Sequence, residues 1–113
     1  MRLKPIPKRL LIHTIIYEEY RGDSTFGGND FSPPEDIPFV LVQPKSELRR
    51  DATGVEIQIK GTIFLDAKNT PNFKRLKEES RIKFNGEDYR VVGCDALYTT
   101  DPNTPHHFEV DVR

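Results

Sequence analysis

Residues 55–66 constrain the fold most, because their hydrophobic pattern has a period of two. Apolar side chains share one parity with Gly61 and polar side chains take the other: Val55, Ile57, Ile59, Ile63 and Leu65 against Glu56, Gln58, Lys60 and Thr62. This pattern predicts a strand with one buried face and one solvated face. A strand this long would run roughly 40 Å, about twice the usual length. Such a strand normally bends around a barrel, and Gly61 is the expected bend point.

Two other apolar runs predict strands in the first half of the chain. The run from Leu10 to Glu19 has apolar side chains on both parities. This favours a strand covered on both faces, by its own core and by something else. The segment Phe39–Gln43 predicts another strand. Pro44 follows it and removes one ladder hydrogen bond, which indicates a sheet edge or a bulge.

The second half of the chain predicts a hairpin and a final strand. Asn85-Gly86 is the preferred dipeptide of a type I′ turn, and it joins short apolar runs at 81–84 and 87–92. Residues 106–113 alternate, with three side chains expected to face the core: Phe108, Val110 and Val112. These features predict antiparallel neighbours connected by short links.

One short helix is also predicted. Thr70 followed by Pro71 is typical of a helix start, and Phe73 and Leu76 would share one side of a helix ending near Ser80. With about six strands, the chain is predicted to be mainly β, a small antiparallel β-barrel with one short helix and a long loop between the first two strands. Its length fits one domain over residues 1–113, with residues 1–9 as an N-terminal arm.

Residues 21–38 form the predicted long loop, which is acidic and rich in glycine and proline. Structureless loops beyond roughly 12–15 residues are uncommon in compact domains and are usually functional or disordered. The segment is either a solvated connector or an arm that orders against a neighbour, and its two phenylalanines favour the arm. The candidate residues are Asp23, Phe26, Gly27, Gly28, Asp30, Phe31, Glu35 and Asp36.

Charge and cysteine content exclude some classes of function. The chain has 17 basic and 18 acidic side chains, a formal net charge of -1, so no global field attracts it to nucleic acid or to an anionic membrane. Cys94 is the single cysteine, which excludes an intrachain disulfide. The apolar stretch Leu10–Ile16 is too short to span a bilayer. We expect a protein that is cytosolic when synthesised.

The sequence predicts no catalytic, metal or cofactor site, and the protein is not expected to be an enzyme. His106 and His107 are adjacent in a predicted strand, so their side chains should point to opposite faces and not share a metal. Cys94 has no obvious basic neighbour and is read as a buried thiol. The carboxylates do not form a spaced pair with a supporting motif.

Three segments together resemble a known family. They are IPKRLLIHTIIYEEY near the start, GVEIQIKGTIFLDAKNTP in the middle, and FNGEDYRVVGCDALYTTDPNTPHHFEVDVR at the end. They resemble the minor capsid proteins of tailed bacteriophages, which belong with the head-closure, or stopper, proteins of the head–tail connector. The resemblance covers nearly the whole chain.

The resemblance implies a non-enzymatic virion component with a small β-barrel. Such proteins assemble as a homo-oligomeric ring, often a dodecamer, below the portal and adaptor proteins, and sometimes only on that template. The ring lets double-stranded DNA pass, retains packaged DNA and presents a surface to the tail. In related stoppers a loop between early strands closes the channel, and the matching stretch here is Arg21–Pro38. Acidic side chains repeated around a ring would repel DNA phosphates and favour sliding.

Two alternatives remain open at this stage. One is a stand-alone β-barrel module that binds peptide or single-stranded nucleic acid, for which exposed tyrosines among Tyr17, Tyr20, Tyr89 and Tyr98 would be needed. Its basic clusters, Arg49-Arg50 and residues 74–77, lie beside acidic residues that offset their charge. The other is an enzyme, which needs convergent ionisable groups in a pocket and ranks last.

Overall fold

The structure is a computed structural model that describes residues 4–23 and 29–113. A short 3₁₀ helix, Lys8–Leu10, precedes the strands. The strands are β1 (His13–Glu18), β2 (Tyr20–Asp23), β3 (Asn29–Phe31), β4 (Glu35–Arg50), β5 (Glu56–Asp66), β6 (Arg81–Phe84), β7 (Glu87–Leu97) and β8 (His107–Val112).

Six of these strands close into an antiparallel barrel in the order β1-β4-β5-β8-β7-β6, and β6 pairs back with β1. β2 and β3 form a separate two-stranded sheet. The barrel interior is filled by apolar side chains from all six strands, and Leu76 joins them from the segment between β5 and β6. The predicted mainly β fold, a six-stranded antiparallel barrel, is confirmed.

The long alternating strand is confirmed as β5, and at Gly61 its backbone approaches β4 closely. A Cβ atom at Gly61 would lie 3.1 Å from the carbonyl oxygen of Gln43, so a side chain there would crowd the neighbouring backbone. The register of β4 against β5 shifts between Pro44 and Glu47, which confirms the bulge predicted at Pro44. Close backbone approach and a bulge together let this strand pair curve.

The hairpin predicted from Asn85-Gly86 is confirmed between β6 and β7. Both turn residues have positive φ, 54° and 81°, as a type I′ turn requires. The final strand also agrees with the sequence, because Phe108, Val110 and Val112 are buried.

The predicted helix at residues 70–80 is wrong. Thr70 does not act as a helix cap, because its hydroxyl donates to the carbonyl oxygen of Phe39 at 2.6 Å and accepts the backbone N–H of Asp66 at 2.8 Å. Asn72 then has a φ of 56°, which interrupts helical dihedrals. The segment crosses the barrel instead, with Leu76 buried and the Phe73 ring stacked on Phe108 at 4.5 Å.

The prediction of one long loop over residues 21–38 is also wrong, because strands occupy parts of this range. β2 and β3 pair within it, and β4 already begins at Glu35. Pro33 and Pro34 lie in the connection between β3 and β4. Short polar strands show little alternation of apolar and polar side chains, so the sequence pattern did not predict this hairpin. The glycines and prolines of the segment favoured a loop instead.

The first strand is covered on one face only within a single chain. Ile15 and Tyr17 are buried in the barrel, whereas Ile16 on the outer face is half-buried. Ile12, just before the strand, is 69% exposed. The expected second cover is therefore not supplied by the described residues.

Candidate functional site

The hairpin of β2 and β3 is the candidate site, because it carries the residues singled out by sequence. Its register pairs Tyr20 with Phe31, Gly22 with Asp30, and Asp23 with Asn29. The register shifts next to Gly22, whose φ of 105° is available to glycine at little cost. This small sheet, which we call the side hairpin, is not part of the barrel ladder.

Phe31 anchors the side hairpin to the barrel wall. Its ring lies 4.4 Å from the guanidinium carbon of Arg81 and 5.0 Å from that of Arg90. The ring of Tyr20 meets it edge-on at 5.9 Å. Both guanidinium groups are attracted to the electron-rich faces of this half-buried ring, and their side chains cover its apolar surface. Phe31 therefore ties the hairpin to β6 and β7 of its own subunit.

A buried hydroxyl pair holds the root of the side hairpin. The Ser80 hydroxyl accepts the backbone N–H of Tyr20 at 2.9 Å and lies 3.3 Å from the phenol oxygen of Tyr17. The same phenol accepts the backbone N–H of Lys77 at 3.0 Å. Burial raises the pKa of the Tyr17 phenol, so it stays protonated and bonded at neutral pH.

The predicted acidic residues differ in how much of their charge is available. Asp30 and Asp36 are exposed, whereas the carboxylate of Glu35 forms an ion pair with Lys74 at 2.5 Å. Asp23 pairs through its backbone in β2. The remaining candidates lie outside the described residues: Phe26, Gly27 and Gly28.

The structure thus brings part of the predicted set together. Asp30 and Phe31 share β3, and Glu35 with Asp36 begins β4 after a short connection. Sequence reasoning missed the basic side chains around them, because Lys74, Arg81 and Arg90 come from distant parts of the chain. The segment 29–36 therefore exposes carboxylates to solvent, while its side chains that face the barrel contact basic residues.

A second polar cluster lies near the N-terminus, and the sequence prediction about it was wrong. His106 and His107 do not point apart: their Nδ1 atoms are 2.8 Å from each other. His106 precedes β8, so strict strand alternation does not apply to it. His106 Nε2 lies 2.7 Å from the carbonyl oxygen of Lys4, and His107 Nε2 lies 3.0 Å from a carboxylate oxygen of Glu109.

Asp66 secures the same N-terminal arm. Its buried carboxylate accepts the backbone N–H of Ile6 at 2.9 Å, and also those of Lys68 and Asn69 at 3.0 and 2.8 Å. The side-chain amide of Asn69 donates to the carbonyl oxygen of Ile6 at 2.8 Å. The run Asp66–Thr70 is typical of an Asx turn, which was the available sequence signal.

Catalytic and metal chemistry find little support in the described part of the chain. No three side chains among histidine, cysteine, aspartate and glutamate converge there as metal ligands. Burial raises the pKa of the Cys94 thiol, which keeps it protonated and unreactive. Over the described ranges, no helix has the length and hydropathy needed to cross a bilayer.

The outer wall of the barrel carries apolar side chains that one chain covers only in part. Leu41 and Phe64 stand opposite each other on β4 and β5 and are half-buried, and the Phe64 ring lies 6.1 Å from the ring of His107. Leu10 and Ile12, which precede β1, are exposed, and Leu48 is 68% exposed on the far part of β4. Exposed apolar surface is typical of protein–protein contacts rather than of catalytic sites.

The chain matches a known protein family. The family model described as "Minor capsid protein" matches residues 7–112. No curated protein matches the chain. The family match covers the whole barrel and the side hairpin, but only residues 7–9 of the N-terminal arm.

Proposed function

Because the chain belongs to the minor capsid protein family, we propose that it is the head-closure protein of the phage head–tail connector. Family membership makes it a structural component of the bacteriophage virion. The proposal assigns it a finer place: a homo-oligomeric ring between the portal–adaptor proteins and the tail. It would be synthesised and assembled in the cytoplasm of the bacterial host.

Uncovered apolar surface is the observation that carries the ring. The outer face next to β1 exposes Ile12, and Leu48 is exposed on the far part of β4. These patches lie on different parts of one subunit, so a contact joining them would be heterologous. Heterologous contacts that close generate rings.

The segment 21–38 is the proposed channel element. Asp30 and Asp36 are exposed, and each would repeat once per subunit around a ring. Like charges facing a channel repel DNA phosphates, which favours passage over binding. Phe31 and Ser80 would hold the base of this segment in a fixed place while its acidic residues face the lumen.

The competing binding-module hypothesis finds less support. Of the four tyrosines, all within the described residues, Tyr98 is exposed and Tyr17 is buried. Tyr20 and Tyr89 are half-buried, and Tyr20 packs on Phe31. An exposed stacking platform for single-stranded nucleic acid is therefore not assembled from these rings.

Assembly on the template tests the ring. Purified protein is measured by size-exclusion chromatography with light scattering, alone and with a portal–adaptor complex. We expect a discrete increase in mass that corresponds to several copies per complex. Ile12→Ser and Leu48→Ser should reduce incorporation. Asp95→Asn, an exposed change on β7, should not, because β7 pairs with neither β1 nor β4. Failure to join the complex at any ratio contradicts the connector assignment.

Charge variants test the channel element separately. Asp30→Asn with Asp36→Asn should leave assembly intact and change DNA ejection or retention in assembled particles. Asp95→Asn serves again as the control that removes one exposed carboxylate. Unchanged DNA retention and ejection would end the channel role of this segment but leave the ring proposal standing.

A further inference from the structure

The far half of the β4–β5 hairpin extends past the barrel. β8 pairs with β5 only from Gly61 to Asp66, and Val112 is the last β8 residue in register. Beyond that point β5 pairs with β4 alone, from Glu56 to Ile59. In the described part of the chain, no strand pairs with the other edge of β5 at Glu56–Lys60, which we call the β5 edge.

A groove of about 720 Å³ runs along the β5 edge. Consecutive residues of both parities line it, Val55 to Gln58, so the groove borders the edge of the strand and not one face. Its opposite wall is formed by Glu79, Arg90 and Arg113. The groove therefore continues the line of β8 where β8 ends.

The two edges of this hairpin are protected very differently. On the β4 edge, Pro44 has no N–H and a bulge follows it. The Nδ1 atom of His13 accepts the backbone N–H of Val42 at 3.0 Å, so that N–H is not available to an added strand. Proline and bulges are among the devices that block pairing at sheet edges. The β5 edge has no proline and no bulge from Glu56 to Lys60.

The side chains that line the groove favour an acidic occupant. Its carboxylates are engaged: Asp51 accepts bonds within its turn, Glu56 pairs with Arg50, and Glu79 pairs with Arg113. Arg90 is also engaged, because it donates to the carbonyl oxygen of Glu79 at 3.2 Å and lies over the Phe31 ring. Lys60 lines the groove too and is exposed, and it has no side-chain carboxylate within ion-pair distance among the described residues. An unpaired cation beside an open strand edge attracts negative charge.

We propose that the β5 edge is the docking site for an extended, acidic segment of another polypeptide, which adds as a strand antiparallel to β5 in line with β8. Backbone hydrogen bonds to the edge supply affinity, and alternate side chains supply specificity. Side chains of one parity would pack beside Ile57 and Ile59, and an acidic side chain of the other parity would meet Lys60. This inference does not depend on the connector assignment.

The register specifies a test segment. Because Val112 stands opposite Gly61, the second residue fused after Arg113 would stand opposite Gln58 and diagonal to Lys60. The fusion Val-Glu-Val-Thr-Val places its glutamate there, with valines beside Ile57 and Ile59. Matched fusions are Val-Lys-Val-Thr-Val, which reverses the charge, and Pro-Glu-Pro-Thr-Pro, which keeps the glutamate but cannot donate to the ladder.

Amide hydrogen exchange of Glu56–Lys60, resolved by NMR, measures docking in these fusions. We expect the glutamate segment to slow exchange at the edge amides about tenfold or more relative to the proline segment. The lysine segment should give less protection. Equal exchange with the glutamate and proline segments would overturn the docking site. Equal protection by the glutamate and lysine segments would overturn the acidic assignment.

A charge reversal on the groove and a probe in trans complete the test. Lys60 is exposed, so Lys60→Glu should not disturb the fold. In this variant the lysine segment should protect the edge amides from exchange better than the glutamate segment does. The acetylated peptide Val-Glu-Val-Thr-Val, titrated into the unfused protein, should shift the resonances of Glu56–Lys60 and leave those of Leu41–Gln43 unchanged. Shifts on the β4 edge instead of the β5 edge would contradict the proposal.

Discussion

Two hairpins extend from the same barrel, and they are held in place by different means. The β4–β5 hairpin continues two barrel strands, so covalent continuity fixes its direction, and Arg49 bonds Asp111 at 2.9 Å to fix its angle. The side hairpin of β2 and β3 follows β1 after Glu19, whose carbonyl accepts the backbone N–H of Ser32 at 2.8 Å, and its position also depends on Phe31 and Ser80. The first hairpin continues the barrel ladder without a break, whereas the second forms a separate sheet that these side chains hold against the barrel. We expect the second to open locally while the barrel stays folded.

The largest effect is expected for Asp111→Ala, on the extended hairpin. The Asp111 carboxylate is nearly buried, accepts the Thr62 hydroxyl at 2.7 Å and pairs with Arg49. Its loss leaves the buried Thr62 hydroxyl without this acceptor and leaves Arg49 paired with Glu47 alone, so we expect about 3 kcal/mol of lost stability toward denaturant unfolding. Glu56→Gln, in the exposed pair with Arg50, is the control and should change stability little. Equal losses of stability in the two variants would show that the bonds of Asp111 do not hold the hairpin more firmly than an exposed ion pair does.

Phe31→Ala should release the side hairpin without unfolding the barrel. Loss of the ring removes two cation–π contacts and its half-buried surface, together about 2 kcal/mol. Amide exchange should accelerate in β2 and β3 and stay unchanged in β5 and β8. Leu48→Ala, an exposed change on the other hairpin, is the matched control. Uniform acceleration across the barrel would show that the side hairpin is part of the cooperative core.

Tyr17→Phe should weaken the same attachment by about 1 kcal/mol, because the phenol bonds Ser80 and the backbone N–H of Lys77. It should also remove a pH dependence. Burial raises the pKa of Tyr17 above its unfolded value near 10, so its contribution to stability is complete below pH 10 and declines as pH rises through the folded pKa. Denaturant unfolding at pH 8 to 11 measures both effects. A variant with the same alkaline decline would assign it to another group.

Glu35→Gln is expected to have the smallest effect. Its ion pair with Lys74 lies at a partly exposed site, so it contributes no more than about 0.5 kcal/mol. Thermal unfolding of the variant at low and high salt should differ only slightly from that of the parent chain. A loss as large as that of Phe31→Ala would place Glu35 among the anchors of the hairpin.

Local patterns predicted the barrel strands well, because each of those strands has a buried face. The alternation of residues 55–66, the Asn85-Gly86 turn and the bulge at Pro44 were all read from neighbouring residues. The side hairpin was missed, since its anchors act across long sequence distances: Phe31 contacts Arg81 and Arg90. The helix failed for a similar reason, because the Thr70 hydroxyl bonds Phe39 instead of a helical turn.

The sequence singled out the acidic residues of the candidate site but not their partners. Asp30 and Asp36 are exposed, and their role in a channel stays a prediction. The pairing of Glu35 with Lys74 and the contact between His106 and His107 could not be read from spacing. Both depend on how segments outside regular strands cross the barrel, and period-two reasoning says nothing about such segments.

β4 has a mechanical consequence for any assembly that contains this chain. Its 16 residues run without a loop from Glu35, beside the side hairpin, to Arg50 at the tip of the other hairpin. It is not straight, because it is irregular at Phe39, whose φ is 55°, and again after Pro44. Ladder bonds to β1 and β5 nevertheless follow it over most of its length. Tension along it loads the ladder bonds to β1 and β5 in parallel, in shear. One continuous strand can therefore carry a pull from one end of the subunit to the other.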